Sequence, residues 1–429
     1  MQKYRRQNTT GWKNHHFSNV ATYDNRAVKR GYKNAKLVVL LLVFAVLLFN
    51  LSFKKVVFAE DNTEKSVQTD LLEEIEKRLD SLDTAGLDKF IKAVENEVGA
   101  VFGGDVKTLV RKVIKGEFFT DFNGFMNYLL KITKNIFGKY IPVAFFIVFI
   151  AILSGTLEGL TSGFIRRETN DVISFVCYSA VVIVLFTALS GIITGVRKYV
   201  LTVKELMDLS FPIILTLMAA MGGIKTAVIY KPIMLILSNV IISVITSVVL
   251  PIFIAGIVLS VVGDISDSVK LTKLPKFFSS ISGWVLGTTF SLFTSFVVAK
   301  GITGVTLDNI SVGITKFALS SYVPILGGYV SDGFDLVVAS CLLVKNSFGV
   351  TITLILVLTS LLPIVKTVIF YLMLKLVEAV IEPIANSKIT NMVGSVAKNI
   401  TSIIASEVGL TFMFFILLSL ITYTVKFAI

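Results

Sequence analysis

KFALSSYVPILGGYVSDGFDLVVASCLLVKNSFG, residues Lys316–Gly349, is the stretch on which the reading of this chain turns. It lies within a very apolar sequence, yet Pro324, Gly327, Gly328 and Gly333 punctuate it. Lys316, Asp332, Asp335, Lys345 and Asn346 set charges and an amide among its aliphatics. Backbone that is neither helical nor closed into a barrel is tolerated at membrane depth only where protein or a water-filled cavity surrounds it. The expectation is a broken segment enclosed by other helices. A weaker copy, LSFPIILTLMAAMGG, stands upstream at Leu209–Gly223, with Pro212 and the pair Gly222 and Gly223.

The surrounding composition excludes a soluble enzyme. Of 429 residues, 54% are apolar and 16% charged, against about 25% charged in ordinary globular chains; mean hydropathy is +0.80. The net charge of +12 sits largely in the N-terminal tail and in connections between apolar runs. There, basic residues meet lipid headgroups and set topology rather than bind nucleic acid. Cys177 and Cys341 both fall in apolar runs and read as buried, reduced thiols. His15 and His16, the only histidines, adjoin each other in the polar tail, so neither a histidine-based catalyst nor a metal or cofactor site is expected. No G-x-x-x-x-G-K-[ST], H-E-x-x-H or G-x-S-x-G element occurs, so no enzymatic activity is expected. Gly103-Gly104-Asp105-Val106-Lys107-Thr108 lacks the spacing and the preceding strand of a phosphate loop.

Along the chain, residues 1–36 are basic, with nine lysines and arginines against Asp24 alone. An apolar run follows, Leu37–Phe49, and then Val57-Phe58-Ala59 before Glu60. A basic region, a short apolar core and small residues before a cut mark a secretory signal peptide, here with cleavage after Ala59. An uncleaved anchor is the alternative. Residues 60–140 are then exported. Asp70–Leu82, Leu87–Phe102, Val106–Ile114 and Phe122–Phe137 carry apolar residues at helical spacing, giving four short amphipathic helices. So small a segment is expected to dock on the membrane part or on a partner; a plain spacer is the competing reading. From residue 141 onward the chain reads as a polytopic membrane domain with spans at about 141–160, 172–196, 233–262, 281–299, 348–377 and 402–425. Pro251 and Pro363 fall near the middles of the two longest and imply kinks.

Overlaying the chain on itself suggests an internal repeat of about 110 residues, roughly 172–280 and 281–429. Pro212 to Pro251 and Pro324 to Pro363 are both 39 residues apart. Gly191–Val196 (GIITGV) corresponds to Gly301–Val305 (GITGV), and the Gly287-Thr288-Thr289-Phe290 and Gly409-Leu410-Thr411-Phe412 groups head the later spans. The fold class read from these features is all-α: a polytopic helical membrane protein with two repeats containing broken Pro/Gly segments, after a small exported helical segment. If each broken segment enters and leaves on one side, the basic clusters at Arg166/Arg167, Lys270/Lys273/Lys276 and Lys388/Lys398 fall together on a cytoplasmic side. Arg197, Lys198, Lys204, Lys225 and Lys231 fall on the other side and oppose that arrangement.

Paired interrupted segments at corresponding positions point to a substrate path in secondary transporters. On that reading Lys316, Asp332, Asp335 and Lys345 line a polar cavity. On the other, they emerge at the surface, the lysines reaching headgroups. Lys366 lies within a span, where charge is costly and faces protein or water; Glu378 and Glu382 instead mark a helix end before Pro383.

Lys316-Phe317-Ala318, Val323-Pro324-Ile325-Leu326-Gly327-Gly328, Ser340-Cys341-Leu342-Leu343-Val344-Lys345-Asn346 and Gly349 resemble the core signature of the stage III sporulation protein AE family. Pro212–Gly223 resembles that family's P-x-x-L-T-L-x-A-A-x-G-G segment, and the likeness runs from about Phe118 to the C-terminus. The resemblance implies a multi-pass protein of the mother-cell-derived outer forespore membrane. It implies partners among the other stage III A sporulation proteins, including a cytoplasmic ATPase and ring-forming subunits, and a forespore membrane protein across the intermembrane space. It further implies a role in a channel complex that sustains the forespore after engulfment. Two mechanisms are compatible with this, a translocation path gated by the broken segments and a non-conducting assembly platform; a free-standing secondary transporter unrelated to sporulation is the alternative outside the complex.

Overall fold

The computed structural model describes residues 65–98, 103–117, 122–161, 167–265, 273–296 and 327–423, all within one compact unit, Thr63–Ile429. Every regular element among them is helical. In chain order they are α1 (Lys65–Asp80), α2 (Ala85–Val98), α3 (Val106–Ile114), α4 (Phe122–Thr161), α5 (Arg167–Ala220), α6 (Ile224–Val244), α7 (Leu250–Ile265), α8 (residues 273–296), α9 (Gly327–Ile381) and α10 (Ser387–Tyr423). The expected cleavage site at Ala59, together with Lys316 and Pro324, lies outside the described residues.

Helices α1 to α3 fold as their periodicity predicts. Ile75 and Leu79 of α1, Leu87, Phe90, Ile91 and Val94 of α2, and Val106, Leu109, Val110 and Val113 of α3 are all buried, each side chain contributing roughly 1.5–3 kcal/mol. The phosphate-loop look-alike is a helix start: Gly103 and Gly104 adopt φ of 65° and 148°, and Asp105 caps α3 by accepting the Thr108 N–H at 3.1 Å. Asp88 of α2 accepts the Val106 N–H at 2.8 Å, fixing where α3 begins. Arg111 of α3 grips Glu76 of α1 through Nε at 2.9 Å and Nη2 at 2.8 Å, and reaches Asp80 at 3.2 Å. The three helices dock on α5 and α9, as the small size of the segment predicts. A Cβ on Gly86 of α2 would stand 2.9 Å from the Leu209 side chain of α5. The fourth expected short helix, 122–137, is instead the opening of α4, which runs on without a break to Thr161.

Five helical stretches among the described residues are long and apolar enough to cross a membrane: Leu129–Gly159, Asp171–Ala220, Ile224–Gly263, Leu336–Ile381 and Ser387–Thr422. The expected span at 281–299 is not one of them; residues 273–296 are helical, and the last three residues of that span lie outside the described residues. The helices are also far longer than the expected spans. At 54 and 55 residues, α5 and α9 extend about 81 and 83 Å, whereas the hydrocarbon is roughly 30 Å thick. Both must run well beyond a bilayer.

The described parts of the two Pro/Gly segments are helical up to Ala220 and from Gly327 onward, while the stretch that holds Lys316 and Pro324 lies outside the described residues. Leu209–Ala220 continues α5 straight through Pro212, and the chain turns only at Gly222, whose φ is 87°. Gly223 then starts α6. Residues 327–349, including Gly327, Gly328, Gly333, Asp332 and Asp335, belong to the uninterrupted helix α9. A helix-internal glycine costs about 1 kcal/mol against alanine, a penalty that close packing offsets, and transmembrane helices carry glycine more often than soluble ones. Pro251 does distort its helix. Its missing N–H and its ring favour a widened turn, and a π-helical turn spans Ile245–Val249 directly before it, with the Leu250 N–H bonded to the Ile245 carbonyl.

Helix α9 is the axis of the bundle, packed by α10, α5, α4, α1 and α3. Its hairpin with α10 closes where glycines admit a neighbour. A Cβ on Gly349 would meet the Thr422 side chain, and one on Gly394 would meet the Glu378 carboxylate. At the turn between these helices Asn386 donates to Glu158 Oε2 of α4 at 2.9 Å. There a Cβ on Gly155 would meet the Ile384 carbonyl.

Candidate functional site

The residues singled out in the sequence do not form one constellation. Gly327, Gly328, Asp332 and Asp335 open α9. Lys345 lies further along the same helix with 0% exposure, and Asn346 beside it has its Oδ1 buried without a hydrogen-bond partner among the described residues. Lys366 follows 21 residues later, about 31 Å along the helix. Pro212 is exposed on α5, and Gly222 and Gly223 make its terminal turn. Cys177 and Cys341 are free and buried, as expected.

Lys366 is the exception, because polar side chains from three helices gather around it. Helix α5 supplies Tyr199, α9 supplies Ser360, Lys366 and Thr367, and α10 supplies Glu407 and Thr411. The Tyr199 hydroxyl donates to Ser360 Oγ at 2.9 Å and hydrogen-bonds Thr411 Oγ1. Thr411 also reaches the Glu407 carbonyl at 2.9 Å, and Ser360 the Leu356 carbonyl at 2.6 Å. Glu407 is 1% exposed. Its Oε1 lies 3.1 Å from Thr367 Oγ1, and its Oε2 is buried with no hydrogen-bond partner among the described residues. Lys366 Nζ donates to the Gly191 carbonyl of α5 at 3.4 Å. A Cβ on Gly195, one turn further along α5, would stand 3.2 Å from that nitrogen. The absence of a side chain at Gly195 thus leaves room for the lysine, its charge interacting with Glu407 and with Lys139 of α4.

The position of the cluster follows from where the charge-free stretches end. Residues 140–157 of α4 and 172–196 of α5 carry no charge. They begin from one end of the bundle, where Asn386 meets Glu158 and the Tyr178 hydroxyl donates to the Val261 carbonyl at 2.7 Å. Lys139 bounds the first stretch and Arg197 and Lys198 the second. Lys366, Tyr199 and Glu407 gather around the same stretch of α5. Phe370, one turn from Lys366, packs its ring 4.9 Å from that of Tyr140. The cluster therefore lies inside the protein, on the level where long apolar faces give way to charge.

Chemically, such a cluster can hold or pass a cation or a proton, and it can couple three helices through their hydroxyls. Glu407 is the residue that sequence reasoning passed over. Its signal was present: it is the lone carboxylate within the apolar run 402–425, and the argument that singled out Lys366 applies to it equally. Tyr199, Ser360, Thr367 and Thr411 carry no comparable signal, since hydroxyl side chains are common in membrane helices.

Residues 104–424 match the family model for stage III sporulation protein AE. A relative from Bacillus subtilis (strain 168), itself stage III sporulation protein AE, is 23% identical over 367 residues, covering 84% of this chain and 90% of the relative. No solved structure matches. The matched range contains the whole polar cluster and both Pro/Gly segments, and leaves α1 and α2 outside it.

Proposed function

The chain belongs to the stage III sporulation protein AE family, and from that premise we propose that it is a membrane subunit of the transenvelope channel complex joining mother cell and forespore, where it forms part of a translocation path. The observation that carries the path is the polar cluster of Tyr199, Ser360, Lys366, Thr367, Glu407 and Thr411 between α5, α9 and α10. A subunit that served only as an anchor would not need six polar side chains gathered between three helices, four of them (Tyr199, Ser360, Thr367 and Glu407) buried, where each costs free energy unless it is paired. The missing nucleotide-binding motif fits an energy source on another subunit, the cytoplasmic ATPase of the complex. The protein resides in the outer forespore membrane, with residues 60–140 extracytoplasmic. Helices α1 to α3 there offer a surface to the ring-forming subunits or to the forespore membrane partner. The two repeats belong to the same proposal, with α6–α7 and α9 as corresponding proline-containing helices.

The test uses Lys366→Met and Ser360→Ala in sporulating cells, read by heat-resistant spore yield and by co-purification of the other stage III A proteins. A translocation path gives lost spores with the complex intact. Loss of co-purification in parallel with spore yield would instead identify an assembly platform. Unchanged spore yield in both variants would remove the cluster from the mechanism.

A further inference from the structure

Glu407 poses a problem of hydrogen-bond arithmetic. Thr367 Oγ1 stands 3.1 Å from Glu407 Oε1 and also 3.1 Å from the Pro363 carbonyl one turn back. A threonine hydroxyl has a single proton, and an ionised carboxylate and a carbonyl are both pure acceptors. Both contacts are full two-centre hydrogen bonds at once only if Glu407 carries a proton on Oε1 and donates it to Thr367, which then donates to Pro363; an ionised Glu407 would leave one hydroxyl proton shared between two acceptors. The remaining oxygen gives the same answer. Among the described residues Oε2 is buried without a partner, a modest cost for the carbonyl oxygen of a neutral acid and a far larger one for half of a carboxylate charge.

Among the described residues no other neighbour supplies the missing donor. On α10, Thr411 is directed at the Glu407 carbonyl, and on α9, Ser360 is directed at the Leu356 carbonyl. Tyr199 of α5 has one proton to divide between Ser360 and Thr411. The charged group facing Glu407 is Lys366 of α9, which in turn feels Lys139 of α4. Lys366 forms no ion pair with Glu407 among the described residues; its ammonium is held by the Gly191 carbonyl of α5.

We propose that Glu407 is a proton-exchange site inside the bundle: in the state described here the neutral acid donates from Oε1 to Thr367. On release, the O–H bond breaks, the proton passes to water, and the carboxylate keeps the electron pair. That carboxylate draws the Lys366 ammonium off the Gly191 carbonyl and pairs with it. Reprotonation takes a proton back from water and returns the lysine to α5. Proton occupancy at α10 is thereby tied to the contact between α9 and α5. The inference goes beyond the proposed path, since it holds for a conducting subunit and for an anchoring one.

The experiment is infrared spectroscopy on the purified full-length chain in lipid nanodiscs. It is independent of spore formation and of complex assembly. At neutral pH we expect a protonated-carboxyl C=O band that is missing in Glu407→Gln and retained in Glu158→Gln. Thr367→Val, which serves if Glu407→Gln fails to fold, should keep that band and move it to higher frequency, as for a carboxyl that has lost its hydrogen bond. The band should vanish reversibly as the pH is raised. A band absent from the parent chain but present in Lys366→Met would show a fixed ion pair and overturn the proposal. A band that persists at every pH where the chain stays folded would show a buried, non-exchanging acid and overturn it equally. Loss of the band on replacing choline chloride by sodium chloride at constant pH would reassign the site to a metal cation.

Discussion

Replacing Gly349 by alanine sets two effects of opposite sign against each other, and the packing of α9 on α10 decides between them. Alanine favours a helix interior over glycine by about 0.5–1 kcal/mol. At Gly349, however, the added Cβ would coincide with the Thr422 side chain, meeting its Oγ1, its Cγ2 and its Cβ together. Thr422 cannot swing clear: it is β-branched and therefore stiff at χ1, it is 3% exposed, and its Oγ1 donates to the Leu418 carbonyl at 2.7 Å. Overpacking of this kind costs about 1–3 kcal/mol, and contact with the whole side chain places it near the upper end. The expected net loss is about 2 kcal/mol, a fall in melting temperature of about 4–8 °C at the ~2–4 °C per kcal/mol of larger domains. The comparison is Gly409→Ala on α10, where nothing stands within 4 Å of the new Cβ; it should gain about 0.5–1 kcal/mol. Thermal unfolding of the two purified variants, with Thr422→Ala combined with Gly349→Ala as the rescue, measures the difference. A Gly349→Ala chain as stable as Gly409→Ala would refute the close helix approach, as would a double variant with no coupling energy.

Three further expectations follow from individual contacts. The Arg111 guanidinium beside Glu76 holds that carboxyl below its ordinary value of 4.5. The pair's contribution is therefore full above that pH and is lost as pH falls through the lowered value. Since both side chains are partly exposed, it amounts to about 1 kcal/mol or less. Hydrogen exchange of α1 to α3 should show acid-induced loss of protection in the parent chain and little pH response in Glu76→Gln. Asn386→Asp places a second carboxylate against Glu158 in place of the donor now 2.9 Å away. The variant should melt lower by about 1–3 kcal/mol of stability at neutral pH and recover as the pH is lowered toward the carboxylate range. Lys345→Cys, on a background lacking Cys177 and Cys341, should resist an impermeant thiol reagent while α1 to α3 remain docked, because Lys345 has 0% exposure; labelling of the folded chain as fast as in denaturant would contradict that burial.

The sequence determined the class of this molecule because hydropathy and helical period are properties of local composition. The all-helical membrane domain, the bounds of Val106–Ile114, the docking of a small amphipathic segment and the buried thiols of Cys177 and Cys341 were all legible from residue order. The family was legible from the Pro/Gly motifs, Pro212–Gly223 and Val323–Gly349. The length of the helices was not. Glycine and proline read as breaks because their penalties are intrinsic, whereas Pro212 and Gly333 lie within continuous helices, and the tertiary context that overrides a local penalty is invisible along the chain. The site was split in the same way. Lys366 stood out as charge within an apolar run, and the same argument, applied to Glu407, would have flagged it too. That they share one cluster with Tyr199, Ser360, Thr367 and Thr411 was decided only by the packing of α5 and α10 on α9, which brings residues 161 to 212 positions apart in the chain within hydrogen-bonding reach.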